Sequence, residues 1–138
     1  MSFKDHRDPI VSEAKSNSIS EFILEAFTIR AQIHLSHLVT KSFAQHLALQ
    51  EFYESLEDCI DSIAEKSIGQ GVALNGDSQL NITYNFDNSD VLHLISTFRD
   101  TVTRYIEITS KPHNLSLNDD FVEIQSNIDM LSYKLQLT

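Results

Sequence analysis

Four stretches of this chain carry apolar residues at helical spacing, and that pattern restricts the fold more than any other feature. The stretches lie at about residues 18–39, 43–68, 90–110 and 119–135. Three glycines and two prolines among 138 residues are too few for a turn-rich β architecture. A chain of this length buries a single core without a disulfide framework. The sequence therefore predicts one all-α domain built from four amphipathic helices.

The start of the first helix is predicted from a capping box. Ser18 and Glu21 stand three residues apart where apolar residues begin to recur, a spacing that lets each side chain bond the other residue's backbone N–H. We therefore expect the helix to begin at Asn17 or Ser18. The polar residues 1–16 are expected to form a flexible N-terminal arm, and residues 17–138 the bundle.

Two breaks and one long connection separate the predicted helices. Residues 40–42 form a polar break of low helix propensity, and Gly69 with Gly71 is a typical C-terminal stop. Residues 70–89 lack helical periodicity, and their alternating apolar residues predict a short extended segment. A connection of about twenty residues in a compact bundle indicates a crossover. Two helical hairpins joined by such a crossover between the second and third helices have the connectivity of a ferritin-like four-helix bundle.

The charge and cysteine content exclude several classes of protein. Twenty acidic residues against ten basic ones give a formal charge of −10, so a phosphate backbone would repel the chain and DNA binding is not expected. No apolar run is long enough to span a membrane, and the N-terminus is too polar for a secretion signal. The single cysteine, Cys59, is predicted to be buried on the apolar stripe that begins with Phe43 and Leu47. One cysteine suits a reducing compartment, and we expect a cytoplasmic protein.

Four side chains with metal-binding chemistry lie on the first two helices: His34, His46, Asp61 and Glu65. Reversal of the chain between the helices brings His34 and His46 to nearly the same level. Asp61 and Glu65 are i, i+4 and share one face of the second helix. Asp61 lies about 22 Å from His46 along that helix, a gap that no hairpin within one chain can close. A second copy that runs antiparallel across a two-fold axis closes it, so a joint site requires at least a dimer.

The sequence around these four positions resembles the Dps-type miniferritins. AQIHL around His34 is similar to the family's xxHW, SFAQH ending at His46 resembles its FxxLH region, and DSIAEKSIGQG from Asp61 is similar to DxxAERxxxxGG. The resemblance implies a ferroxidase site whose four side chains are both metal ligands and catalytic groups, with two histidines from one subunit and two carboxylates from its dimer mate. It further implies that hydrogen peroxide or O2 oxidises Fe(II) there, and that Fe(III) is stored inside a dodecameric homo-oligomer.

Two residues depart from the miniferritin pattern. Leu35 replaces the Trp that usually follows the first histidine, and Gln50 stands where the family commonly has an Asp that helps to bind a second metal ion. A neutral amide is a weaker iron ligand, which favours one iron over two. Imidazole and carboxylate ligands suit Fe(II), with Zn(II) or Mn(II) as alternatives. His37 is predicted to be a half-buried polar residue and not a ligand.

A second interpretation stays open beside the iron-binding one. The chain would then be a non-catalytic ferritin-like structural or interaction protein, such as a bacterial or phage accessory protein, with a degenerate metal site. Residues 70–89 would serve it as a docking surface. Gln50 and Leu35 favour this alternative, whereas the complete set of four candidate ligands favours the ferroxidase.

Overall fold

Four α-helices make up most of the computed structural model, which describes the backbone of residues 9–137 and the side chains of residues 18–137. No β-strand occurs within residues 9–137, so the predicted all-α class is confirmed for this part of the chain. None of these helices combines the length and the apolar character needed to cross a membrane. The elements are α1 (Pro9–Val39), α2 (Phe43–Gly69), α3 (Asn88–Ile108), a 3₁₀ turn (Pro112–Asn114) and α4 (Leu115–Gln136).

Helix α1 begins earlier than its sequence pattern predicts. The backbone is helical from Pro9, so the predicted start at Asn17 or Ser18 is wrong. Proline is well tolerated in the first helical turn, because the N–H group that it lacks has no partner there. The Ser18 side chain bonds α3 instead of capping α1, with its Oγ 2.6 Å from the Tyr105 hydroxyl. Of the predicted N-terminal arm, residues 1–8 lie outside the described residues and residues 9–16 are helical.

The ends of α2 follow the predicted signals. Ser42 is the N-cap, and its hydroxyl oxygen accepts a hydrogen bond of 3.2 Å from the Gln45 N–H. The helix finishes at Gly69, and Gly71 adopts a φ of 90°, in the left-handed region that favours glycine. The break at residues 40–42 therefore makes α1 and α2 an antiparallel hairpin.

Every pair of neighbouring helices is antiparallel. In each pair, residues near the end of one helix contact residues near the start of the other. Because α2 and α3 consequently run in the same direction, the connection between them has to travel the length of the bundle. The contacts are Glu51–Lys134, Ser55–Asn127 and Lys66–Asp120 for α2 and α4, Arg99–Asp129 and Thr103–Gln125 for α3 and α4, and Phe22–Phe98 and Ser18–Tyr105 for α1 and α3.

The crossover at residues 70–87 lies along α1. The Asn75 N–H donates to the Ser20 hydroxyl at 2.9 Å. Further along, the Gln32 amide bonds both backbone groups of Thr83, accepting from its N–H at 2.9 Å and donating to its C=O at 3.0 Å. The predicted extended segment forms no β-ladder with the described residues, and at Thr83 the Gln32 side chain makes the bonds that a neighbouring strand would make.

The hydrophobic core contains apolar side chains from all four helices. Its aromatic cluster places the Phe22 ring 4.9 to 5.7 Å from the ring centres of Phe98, Tyr105 and Phe121. Cys59 is buried in this core, as predicted. Phe43 and Leu47 are not: they are 74% and 44% exposed, so their assignment to the buried stripe of α2 is wrong. Both lie within the first two turns of α2, on its outward side.

Candidate metal centre

Three histidines form a cluster where α1 and α2 meet. His34 and His37 are three residues apart and share one side of α1, with ring centres 5.9 Å apart. The hairpin brings His46 of α2 against His37, at a ring-centre distance of 3.8 Å. The ring of His37 is therefore a neighbour of both predicted imidazole ligands, His34 and His46.

Sequence reasoning missed the role of His37 in this cluster. The residue is buried, with 6% of its surface exposed, and its ring also contacts Tyr53 edge-on at 5.3 Å. The i, i+3 spacing from His34 is a signal that could have placed both imidazoles on one side of α1. It could not show that the turn packs His46 onto the ring of His37.

Hydrogen bonds define which nitrogens of the cluster are free. His46 Nδ1 lies 3.0 Å from the His37 carbonyl oxygen, which can only accept, so Nδ1 carries the proton and Nε2 keeps its lone pair. His37 Nε2 donates to the Gln50 side-chain oxygen at 3.3 Å, and the Gln50 amide donates in turn to Glu54 at 3.2 Å. Burial, followed by the neighbouring His46, lowers the pKa of His37, which favours its neutral form.

Arg30 closes the other side of the cluster. Its Nη1 lies 3.2 Å from Nδ1 of His34, and its Nη2 lies 2.6 Å from Oε2 of Glu57. Its guanidinium carbon lies 5.1 Å from the centre of the Tyr53 ring, on which the His34 ring also stacks at 4.4 Å. The cluster thus combines imidazoles, a guanidinium and the carboxylates of Glu54 and Glu57.

Buried polar atoms without a hydrogen-bond partner concentrate here. Among the side chains of residues 18–137 there are four such atoms, and two of them, Arg30 Nε and His37 Nδ1, belong to this cluster. An unpaired buried donor or acceptor costs about 1–3 kcal/mol. Folded proteins therefore rarely keep such atoms without a functional reason or a partner that binds there.

Asp61 and Glu65 lie on an exposed face of α2, further along the helix than the histidine cluster. Both are exposed, and in the described part of the chain their carboxylates take part in no hydrogen bond or ion pair. They share this face with Phe43, Leu47 and Glu54, because successive residues of this set are four or seven positions apart.

A single copy of the chain does not assemble a complete metal site from the described residues. No three His, Cys, Asp or Glu side chains among residues 18–137 are arranged to hold one ion. The separation of His46 from Asp61 along α2 is about 22 Å, as the sequence predicts. Their meeting across a dimer interface stays a prediction, because it concerns two copies.

The fold and the cluster together define a class of protein, a four-helix bundle with an imidazole-rich centre in its α1–α2 hairpin. The chain belongs to the family described as Family of unknown function (DUF5856), whose model matches residues 37–135. His37 and three of the predicted ligands, His46, Asp61 and Glu65, fall within the matched part. No curated protein and no solved structure matches the chain.

Proposed function

We propose that this chain is a miniferritin-like iron-binding protein whose metal centre forms between two copies. His34 and His46 of one subunit, with Asp61 and Glu65 of the other, bind Fe(II). The observation that carries the proposal is the histidine cluster, in which buried polar atoms lack partners next to the two predicted imidazole ligands. The antiparallel helices and the single long crossover fit a ferritin-like bundle.

The exposed apolar side chains of α1 and α2 support an antiparallel pairing of two copies. A register that sets residue 46 opposite residue 61 also brings Ile68 of one subunit next to the α1–α2 turn of the other. Ile68 and the three apolar side chains at that turn, Leu38, Val39 and Phe43, are 43–74% exposed. The same pairing that completes the metal centre would therefore cover these side chains.

The ligands suit a first-row divalent ion that changes its oxidation state. Neutral imidazole and carboxylate groups bind Fe(II), and Zn(II) or Mn(II) are the alternatives. Gln50 joins His37 to Glu54 through hydrogen bonds, which fits one metal position better than two. Two Fe(II) ions supply the two electrons that, together with two protons, reduce one hydrogen peroxide to two water molecules, and O2 is the alternative oxidant. A larger homo-oligomer, up to a dodecamer, would store the Fe(III).

The direct test is anaerobic titration of the metal-free protein with Fe(II), followed by peroxide or O2 and detection of Fe(III) by absorbance. We expect about one Fe(II) per subunit and a dimer or larger assembly by light scattering. Asp61→Asn should abolish oxidation, because it removes a charged ligand. Asp100→Asn makes the same charge change on the exposed surface of α3 and should leave oxidation intact.

Three results would each overturn a different part of the proposal. If the protein neither binds Fe(II) nor oxidises it faster than buffer alone, the metal centre is wrong. If the protein is a monomer at micromolar concentration, the two-copy geometry is wrong even where metal binds. Full activity in Asp61→Asn would mean that other side chains are the ligands.

A non-catalytic interaction protein is the second candidate, and the crossover favours it. Leu80, Ile82 and Tyr84 are 61%, 38% and 74% exposed, an arrangement suited to contact with a partner protein. The Fe(II) experiment separates the candidates, because a protein that only docks on a partner does not accelerate Fe(II) oxidation. Replacing Ile82 and Tyr84 by Ser would leave oxidation unchanged if the iron-binding candidate is correct.

A further inference from the structure

We propose that Arg30 is an internal cation that keeps the His34 side of the metal centre closed, and that a metal ion binds His34 only after Arg30 moves away. The inference rests on the proposed function, because it concerns access to the same centre. It gives a regulatory role to a residue outside the four ligands.

The Arg30 guanidinium lies where a metal ion would be attracted. Its Nη1 is 3.2 Å from Nδ1 of His34, and its Nη2 is 2.6 Å from Oε2 of Glu57. The face of the Tyr53 ring lies below it, 5.1 Å from the guanidinium carbon. An imidazole nitrogen and a carboxylate are also ligands of divalent metals, so Arg30 uses groups that a metal ion would use.

The hydrogen bond to Arg30 leaves His34 without a free nitrogen. A guanidinium can only donate, so Nδ1 of His34 accepts with its lone pair. In the neutral ring the proton is then on Nε2, and neither nitrogen has a lone pair for a metal ion. The positive charge of Arg30 also repels a divalent cation. His46 differs, because its Nε2 keeps a free lone pair.

The surroundings offer the Arg30 side chain a second position. Its present position leaves Nε buried without a partner in the described residues, so one donor is unsatisfied. Arg30 also lines a groove of 310 Å³ between α1 and the crossover, together with Phe27, Ala31 and Leu80. The apolar stem of arginine can pack along such a groove while its charged end stays in water. A rotation of one side chain is then enough to release His34.

The Arg30→Met variant tests this role, because methionine keeps an apolar side chain over Tyr53 and removes the guanidinium. Arg99→Met is the matched control, since Arg99 also pairs with a carboxylate, Asp129, but on the exposed surface of α3 and α4. Zn(II) binding to the full chain is measured by calorimetry. We expect Arg30→Met to bind Zn(II) about tenfold more tightly than the unmodified chain, the effect of losing one hydrogen bond and one half-exposed ion pair. Arg99→Met should bind like the unmodified chain.

A second measurement on the unmodified chain does not depend on any variant. Arginine Nε–H signals are observed by NMR during a Zn(II) titration, and the signal of Arg30 should shift while that of Arg99 does not. If the unmodified chain binds Zn(II), equal or weaker binding by Arg30→Met would overturn the role of Arg30 and leave the proposed metal centre standing. Binding by Arg30→Met alone would support the role of Arg30 and overturn the proposed function of the unmodified chain. No binding by either protein would overturn both.

Discussion

The aromatic cluster of the core and the histidine cluster of the hairpin are both stacks of rings against α1, but they treat their polar atoms differently. Among the rings that pack around Phe22, only Tyr105 carries a polar group, a hydroxyl that donates to the Ser18 carbonyl oxygen at 2.7 Å. Burial raises the pKa of Tyr105, so this hydroxyl keeps its proton. Every buried group of the aromatic cluster is therefore either apolar or satisfied, as expected of a region that stabilises the fold.

The histidine cluster keeps polar atoms that folding leaves unsatisfied. His37 Nδ1 and Arg30 Nε are buried without partners among the described residues, and the carboxylates of Glu54 and Glu57 lie beside them. Polar networks that are partly satisfied are less stable than an apolar core of the same shape. The aromatic cluster therefore has the properties of a region that stabilises the fold, whereas the histidine cluster keeps buried polar atoms that have no partner among the described residues.

The largest expected loss of stability follows from a substitution in the aromatic cluster. Phe22→Ala removes a ring that is 1% exposed and leaves a cavity between α1, α3 and α4, so we expect the free energy of unfolding to fall by about 3–5 kcal/mol. Urea denaturation followed by circular dichroism measures this change. A loss below about 1 kcal/mol would mean that the cluster does not hold the helices together.

A smaller change in the free energy of unfolding is expected when His37 is replaced by an apolar residue. His37→Leu loses the hydrogen bond to Gln50 and also removes an unpaired buried nitrogen. These changes oppose each other, so the free energy of unfolding should change by no more than about 1 kcal/mol. The same denaturation experiment is the measurement. A loss as large as that of Phe22→Ala would remove the difference between the two clusters.

The smallest expected effect is a dependence of stability on pH. Burial lowers the pKa of His37 below its ordinary value of 6.5, so the unfolded chain takes up a proton at higher pH than the folded chain. The contribution of His37 to the free energy of unfolding is therefore complete above pH 6.5 and decreases as the pH falls below that value. Unfolding of the unmodified chain and of His37→Leu on both sides of that pH measures the contribution. An equal pH dependence in the two proteins would contradict it.

Local signals predicted the helices that have clear caps and stops. The break at residues 40–42, the N-cap Ser42 and the stop at Gly69 all act within a few residues, so their pattern is visible in the sequence. The prediction for the start of α1 was wrong, because the Ser18 hydroxyl bonds Tyr105 on α3 instead of capping α1. The assignment of Phe43 and Leu47 to the buried stripe of α2 was wrong, because helical spacing identifies a face but not the side on which the neighbouring helix packs.

Part of the candidate site could also be predicted from the sequence, because it depends on a local property of the helices. Helical rise alone brings His34 and His46 to one level of the hairpin and separates Asp61 from both. The contacts of His37 and Arg30 depend on the packing of α2 against α1, which joins residues such as Arg30 and Glu57 that are far apart in the chain.

The sequence by itself determined that this chain forms four helices with a long crossover, because the repeat of apolar residues and the caps are local properties. It also determined that one chain cannot gather all four candidate ligands, because the rise of a helix is constant. Only the tertiary structure decided that the ring of His37 neighbours both His34 and His46 and that Arg30 binds His34. These contacts join side chains from facing helices, and their geometry depends on how the helices pack.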